Sequence, residues 1–400
     1  MIASIFLCLG QLNTPSLEER VVPDQQEVVI ESLVRLPGLN SAQYSLLSHT
    51  LNNVGYMTQR YGRKDLLRIL KVGTQVRTAL LPGALRLGIT VNSEDLSGGL
   101  SLMQSLLTAP TFLKETYRLK RTPKDFDLVY EPLWILNSTQ LSSLATPENS
   151  LALWSSIVRT DTVKTVVQGN VKAGESTRIW AMFSDGWLPK FQGTVPFTYA
   201  SIGKVGSFET KSVVLETPLP SGLSLSDAVI CASILGSGKQ CILFKHFREK
   251  LQISYRQECF ISPTELGWNC RIIIGPQEEE MGDQQLNYIK TELLGAIEKI
   301  DEKQLITSLG LIKGFTQGQI PIFPLMLGSQ FNIGERVDDQ VFFDLYLSQK
   351  SNISWKAFKV ALETNCAQIN NFDGASSKLP FYKKSLNELV KNLVVLNPKK

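Results

Sequence analysis

One order of elements occurs twice in this chain of 400 residues, and it restricts the fold more than any bulk property does. In the first half a strand, "QEVVIESLVRL", precedes the helix containing "SLLSHTLNNV" and a second helix, "RKDLLRILKVG". Paired strands, "QVRTALL" and "ALRLGITVN", turn at "PGA" and lead into a long amphipathic helix, "SEDLSGGLSLMQSLLTAP". In that helix Leu96, Leu100, Met103 and Leu107 recur at helical spacing, with Ser93 expected as N-cap and Pro110 as stop. The second half repeats the series: strand "KSVVLETPLP", helix "SLSDAVICASILG", helix "QCILFKHFREKL", a long hairpin, and helix "GDQQLNYIKTELLGAIEKI", continued by "DEKQLITSLGLIKGFTQGQ". Divergent duplication accounts for such a repeat.

The length agrees with that reading, since a chain of this size divides into domains of about 200 residues each. Trp187, Pro189, Gly193 and Pro196 punctuate "DGWLPKFQGTVPF", which places the expected join there and the domains at 1–190 and 191–400. Each half reads as α+β, a mostly antiparallel sheet packed with helices. Hydrophobic residues at 43% and charged residues at 20% are those of a chain that buries a core.

Several function classes are excluded. The net charge is +4, and the longest basic cluster, "YRLKRTPK", is short enough to be solvated surface, so nucleic acid is not an expected partner. No segment beyond the N-terminus has the ~18 uninterrupted apolar residues of a membrane span. "GSGK" (236–239) lacks the glycine spacing and the Lys-Ser/Thr ending of a P-loop. The six cysteines form no CxxC pair, so a structural zinc site of the usual kind is not expected.

Two features bear on the compartment. "ISYRQECFISPTELGWNCRIII" reads as a hairpin turned on Pro263-Thr264-Glu265-Leu266, a register that sets Cys259 opposite Cys270. Either a disulfide or two buried thiols fits that placement. The N-terminal "MIASIFLCLGQLN" has a signal-like apolar run without a basic n-region, and a plain first strand is the other reading. Together they lean towards an extracytoplasmic protein.

The stretch "LGSGKQCILFKHFREKLQISYR" carries the most specific information. Gly236, Gly238, Leu243, Phe244, Arg248, Glu249, Lys250 and Tyr255 follow the order of a glycine-rich loop, a Leu-Phe pair, Arg-Glu-Lys, and a Tyr seven residues after the Arg. This resembles the second-domain signature of the pitrilysin/insulinase/mitochondrial processing peptidase family, the inverzincins. One departure is Gln252, where the family usually has Gly. The resemblance extends to the duplication and to "TAPTF" (108–112), where the family has a Pro-x-Phe helix end. It implies two homologous α+β domains forming half of a clamshell.

The resemblance also implies a chemistry. Active members carry H-x-x-E-H on the first helix of the first domain, where two histidines hold Zn²⁺ and the glutamate is general base to the bound water. That motif falls here on His49-Thr50-Leu51-Asn52-Asn53. Asn52 cannot accept a proton from water, and Asn53 is a poor zinc ligand beside imidazole. No glutamate in "YRLKRTPKDFDLVYEP" aligns as the further ligand. No cofactor is therefore expected on this chain, and zinc is expected on a partner. Some members of the family divide the labour between a zinc-bearing chain and one that supplies Arg and Tyr to a shared chamber. This sequence has the second set, with Arg248 implied to hold a substrate carbonyl and Tyr255 a developing oxyanion, and Gly236 and Gly238 near the peptide.

Each feature also has an ordinary reading. His49 alone reads as a helix residue of the core. Arg248 can pair with Glu249 or cap its helix, Tyr255 can be ordinary strand material, and the two glycines can simply permit a turn. Trp154 and Trp180 read as core residues. The functions to be separated are thus a non-catalytic, substrate-binding subunit of a heterodimeric zinc peptidase and a structural or peptide-binding protein without a part in proteolysis. A third, a peptidase active alone, lacks ligands for its metal.

Overall fold

The computed structural model describes residues 15–36, 39, 41–51, 58, 76–81, 83–112, 145–182, 213–252, 256–264, 267–275, 283–316 and 337–395. They fall into two compact units. The first unit opens with β1 (Ser16–Val21), β2 (Glu27–Arg35) and α1 (Ser41–Leu51). The hairpin β3 (Arg77–Leu81) and β4 (Ala84–Asn92), helices α2 (Leu96–Thr108) and α3 (Pro147–Ile157), strand β5 (Val163–Gly169) and helix α4 (Glu175–Met182) follow. Its sheet has the order β1-β5-β2-β4-β3, parallel at β1–β5 and antiparallel elsewhere.

The second unit contains β6 (Val213–Pro218), α5 (Leu225–Gly236), a π-helix (Leu243–Lys250), and the hairpin β7 (Arg256–Thr264) and β8 (Gly267–Gly275). Helices α6 (Asp283–Glu298), α7 (Glu302–Ser308) and α8 (Gly310–Thr316) come next. Helix α9 (Val337–Ser351) begins in the first unit, which holds it through Tyr346, and ends in the second. Helices α10 (Trp355–Gln368) and α11 (Phe372–Lys391) and the short strand β9 (Val394–Val395) complete the chain. The second sheet, β7-β8-β6-β9, is antiparallel throughout. Its order reproduces β3-β4-β2-β5 of the first sheet, element for element, and this is the duplication in three dimensions. Among the described residues no helix is long and apolar enough to cross a membrane.

Both faces of β2 and β4 are buried, which explains why their sequences are nearly continuous in apolar residues rather than alternating. Val28, Ile30, Val34, Leu85, Leu87 and Ile89 join the core built with α2, whose Leu100, Met103 and Leu107 lie inside it. Phe112 meets Trp154 edge-on at 6.2 Å, and Trp154 Nε1 donates to the Leu107 carbonyl at 2.8 Å, so the end of α2 is tied to α3. Trp180 is likewise buried in this core, and its Nε1 donates to the Pro15 carbonyl at 3.1 Å.

The opposite face of the same sheet carries charge. Glu31, fully buried and opposite Gly88, accepts from Arg86 Nη2 at 2.8 Å, Arg86 Nε at 3.0 Å and Arg77 Nη2 at 3.1 Å. Arg86 Nη1 donates to Asp339 of α9 at 2.6 Å, and its guanidinium lies 4.8 Å from the Phe342 ring. Burial works against the Arg86 charge, but Glu31 and Asp339 outweigh it and hold the guanidinium protonated beyond its usual range.

Three expectations need correction. The α2 helix is not capped by Ser93: residues Ser93–Asp95 form a 3-10 turn, and Asp95 occupies the cap position without a side-chain capping bond. The segment after α5 is π-helical rather than α-helical. Cys259 stands opposite Ile272, not Cys270, because the hairpin closes on Thr264 and Gly267. The slip equals two residues, so both cysteines stay on one face as diagonal neighbours, with sulfurs 3.6 Å apart and both thiols free. Burial pushes the Cys259 thiol well above its ordinary value, with Cys270 adding to the effect.

Candidate functional site

Helix α1 carries His49, the residue at which the family resemblance places the start of the zinc motif. It is a regular helix held by packing: Leu46, Leu47 and Leu51 are core residues, and Thr50 Oγ1 donates to the Leu46 carbonyl at 2.7 Å and shares a hydrogen bond with Ser150 Oγ of α3 at 2.8 Å. His49 lies on this helix with a relative exposure of only 9%, and burial lowers its pKa from the ordinary value, favouring neutral imidazole. Asn52 and Asn53 lie outside the described residues. By their chemistry they offer amide oxygens where zinc needs a second imidazole and a base. One imidazole beside two amides lacks the second nitrogen ligand and the base that a catalytic zinc site needs. The residues present do not fit the metal, and no hydrolytic step can be written through them.

The second unit holds the other half of the pattern. Helix α5 begins at Ser224, whose hydroxyl accepts from the Asp227 N–H at 3.1 Å. Nearly every side chain of α5 is buried, as its apolar sequence requires. It stops at Gly236, and a Cβ there would overlap the backbone nitrogen and Cβ of Cys259 on β7, so only glycine lets the helix end lie against the strand. Gly238 takes φ of +74°, the left-handed region that favours glycine. Both glycines thus have a conformational reason to be there.

The chain then enters the π-helix. Phe244 N–H donates to Cys241 Sγ at 3.3 Å, Lys245 N–H to the Cys241 carbonyl at 3.1 Å, and Leu251 N–H to the His246 carbonyl at 2.9 Å, the last a wide five-residue turn. Leu243 and Phe247, both fully buried, anchor it from below. His246 Nε2 donates to Glu292 Oε2 of α6 at 2.5 Å. Arg248 projects into solvent and lies over the Phe244 ring, 5.0 Å from its centroid. Gln252 ends the segment at φ of +55°, which explains why the family pattern has glycine at this place. Tyr255 lies outside the described residues.

Of the residues singled out from sequence, the structure therefore groups Gly236, Gly238 and Arg248 on one stretch between α5 and β7, with Gly236 in contact with the strand. His246 and Glu292 were not expected there. Nothing in the order of residues announces Glu292, which lies 46 positions downstream on an amphipathic helix. Among the described residues no three His, Cys, Asp or Glu side chains are grouped so as to hold a metal ion.

No family model and no curated protein matches the sequence. Solved structures do match in fold. The inactive domain of a peptidase M16 from Pseudomonas fluorescens superposes with a TM-score of 0.64 at 12% identity, over 96% of this chain and 95% of that one. A protease from Helicobacter pylori gives 0.63 at 14% identity, over 95% of each chain. The periplasmic protease PqqL from Escherichia coli gives 0.62 at 12% identity, with 95% of this chain matching 44% of that one. The chain has the α+β fold of the pitrilysin/insulinase peptidases along nearly its whole length.

Proposed function

We propose that this chain is the non-catalytic, substrate-binding subunit of a two-chain zinc peptidase, presenting Arg248 and Tyr255 to a site whose zinc is held by a homologous partner with an intact H-x-x-E-H. The observation that carries this reading is an asymmetry. The first unit has withdrawn its one motif histidine into packing, while the second displays an arginine in solvent on a π-helical turn. An M16 domain described as inactive shares the fold over the full length, which supports a chain that keeps the shape without the metal. Arg248 would hold a backbone carbonyl of an extended peptide, and Tyr255 would donate to the oxyanion that forms when the partner's zinc-activated water attacks. The periplasmic location in the name of one neighbour supports an extracytoplasmic setting.

The test is peptidase activity of this chain, of an adjacent gene product carrying H-x-x-E-H, and of the mixture. Activity is expected only in the mixture, and Arg248→Ala is expected to weaken it through a raised KM, the mark of lost substrate binding. The purified chain alone is expected to hold no stoichiometric zinc by elemental analysis. Tightly bound zinc and peptide cleavage by the chain alone would sink the proposal. A second reading, a structural or peptide-binding protein, is favoured by the Phe244–Arg248 stacking, which gives the guanidinium a partner within its own helix. No activity in any combination would select it.

A further inference from the structure

We propose that the His246–Glu292 pair is the positioning element for Arg248, a clasp that fixes the π-helical turn sideways while Leu243 and Phe247 fix it from below. This rests on the reading that Arg248 meets substrate.

The argument starts from what a π-helix lacks. Its wide turn is poorly packed along the axis, and the geometry persists only where neighbours over-determine it. Two apolar anchors, Leu243 and Phe247, lie four residues apart on one side and restrain depth, but they leave rotation about the line joining them free. His246 removes that freedom. Its backbone carbonyl accepts the Leu251 N–H that closes the wide turn, and its side chain reaches across to α6. Glu292 sits on α6 immediately before Leu293, a fully buried residue, so the acceptor is borne by a rigid part of that helix. The bond is partly shielded, with 13% of the His246 side chain and 27% of the Glu292 side chain exposed, so it is more persistent than a surface ion pair. Arg248 lies two residues beyond His246, and its stacking on Phe244 depends on the same turn keeping its shape.

The experiment is NMR on the full chain alone, labelled at arginine. The Phe244 ring should displace the Arg248 δ-proton resonance by its ring current, and Arg248→Lys assigns that signal. In Glu292→Ala the displacement is expected to fall by more than half, and Glu292→Asp should restore part of it. The Trp268 indole resonance, whose Nε1 donates to Ser351 Oγ in the second unit, should stay in place, showing that this unit remains folded. His246→Gln serves as a second variant should Glu292→Ala fold poorly. An Arg248 resonance unmoved in both variants overturns the clasp. In the mixture with the zinc-bearing chain, Glu292→Ala should raise KM about tenfold at unchanged kcat, the mark of lost substrate binding. If Arg248→Ala leaves the mixture's activity untouched while the NMR displacement collapses, the shared-site reading fails and the clasp stands.

Discussion

The two histidines of this chain lie in regions that have met opposite fates. His49 is on a regular helix whose apolar face and hydroxyl contacts keep it packed, and its imidazole is withdrawn from water. His246 is on a π-helix that ends in a left-handed glutamine and holds an arginine in solvent. The first region incurs no conformational cost and offers no chemistry. The second incurs two costs, an unfavourable helix geometry and a left-handed non-glycine residue, set against the burial of Leu243 and Phe247. The buried histidine sits on unstrained backbone, and the one bonded to Glu292 sits on a segment that ends in strained backbone.

The largest expected effect tests whether the strained region truly rests on its apolar anchors. Phe247→Ala should destabilise the second unit by about 3–5 kcal/mol, the usual cost of emptying a buried aromatic site, measured by urea denaturation. A loss below about 1 kcal/mol would mean that the π-helix is not seated as described. Next comes Gly236→Ala, which forces the end of α5 away from β7 and should cost about 2–3 kcal/mol through overpacking against backbone. Wild-type stability in that variant would leave the glycine without its packing reason. Gln252→Gly should instead stabilise, by roughly 0.5–1 kcal/mol after allowing for the freer unfolded chain. A destabilised variant would show that the glutamine side chain contributes more than its backbone costs.

The smallest effect is a slope, and it belongs to the other histidine. Because burial lowers the folded-state pKa of His49, the unfolded chain takes up a proton that the folded chain refuses. The His49 contribution is therefore fully present above the unfolded value of about 6.5 and is lost as pH falls below it. His49→Gln should flatten that part of the stability–pH curve. An unchanged slope would indicate that His49 is solvated and that the contrast between the two histidines is weaker than the geometry implies.

Much of this was legible in the order of residues, and what was not has identifiable causes. The duplicated series of elements was legible, and the two sheets share a strand order that the series alone does not specify. Hairpin register escaped because both faces of β7 and β8 are buried, at Cys259, Phe260 and Ile261 on one strand and at three successive isoleucines on the other, and a slip of two leaves every side chain on its own face. The two registers differ only in where the turn sits, one residue further along than the sequence suggests. The π-helix escaped because Leu243 and Phe247, four apart, suit α and π geometry alike. Arg248 was found by its neighbours in sequence, whereas Glu292 was not, since a partner brought in by tertiary packing leaves no local trace.

Helix α9 has a bearing on how this molecule can be divided. Its first turns supply Asp339 and Phe342 to Arg86, and Asp344 to Arg20 at 2.6 Å, all within the first unit. A fragment cut near residue 190 would leave Arg86 with half of its counter-charges and a sheet face stripped of its aromatic cover. The repeat seen in the sequence is therefore not a pair of modules that could be cloned, shuffled or inherited apart. The first unit takes its last helical turns from a segment that follows the second unit's hairpin in the chain.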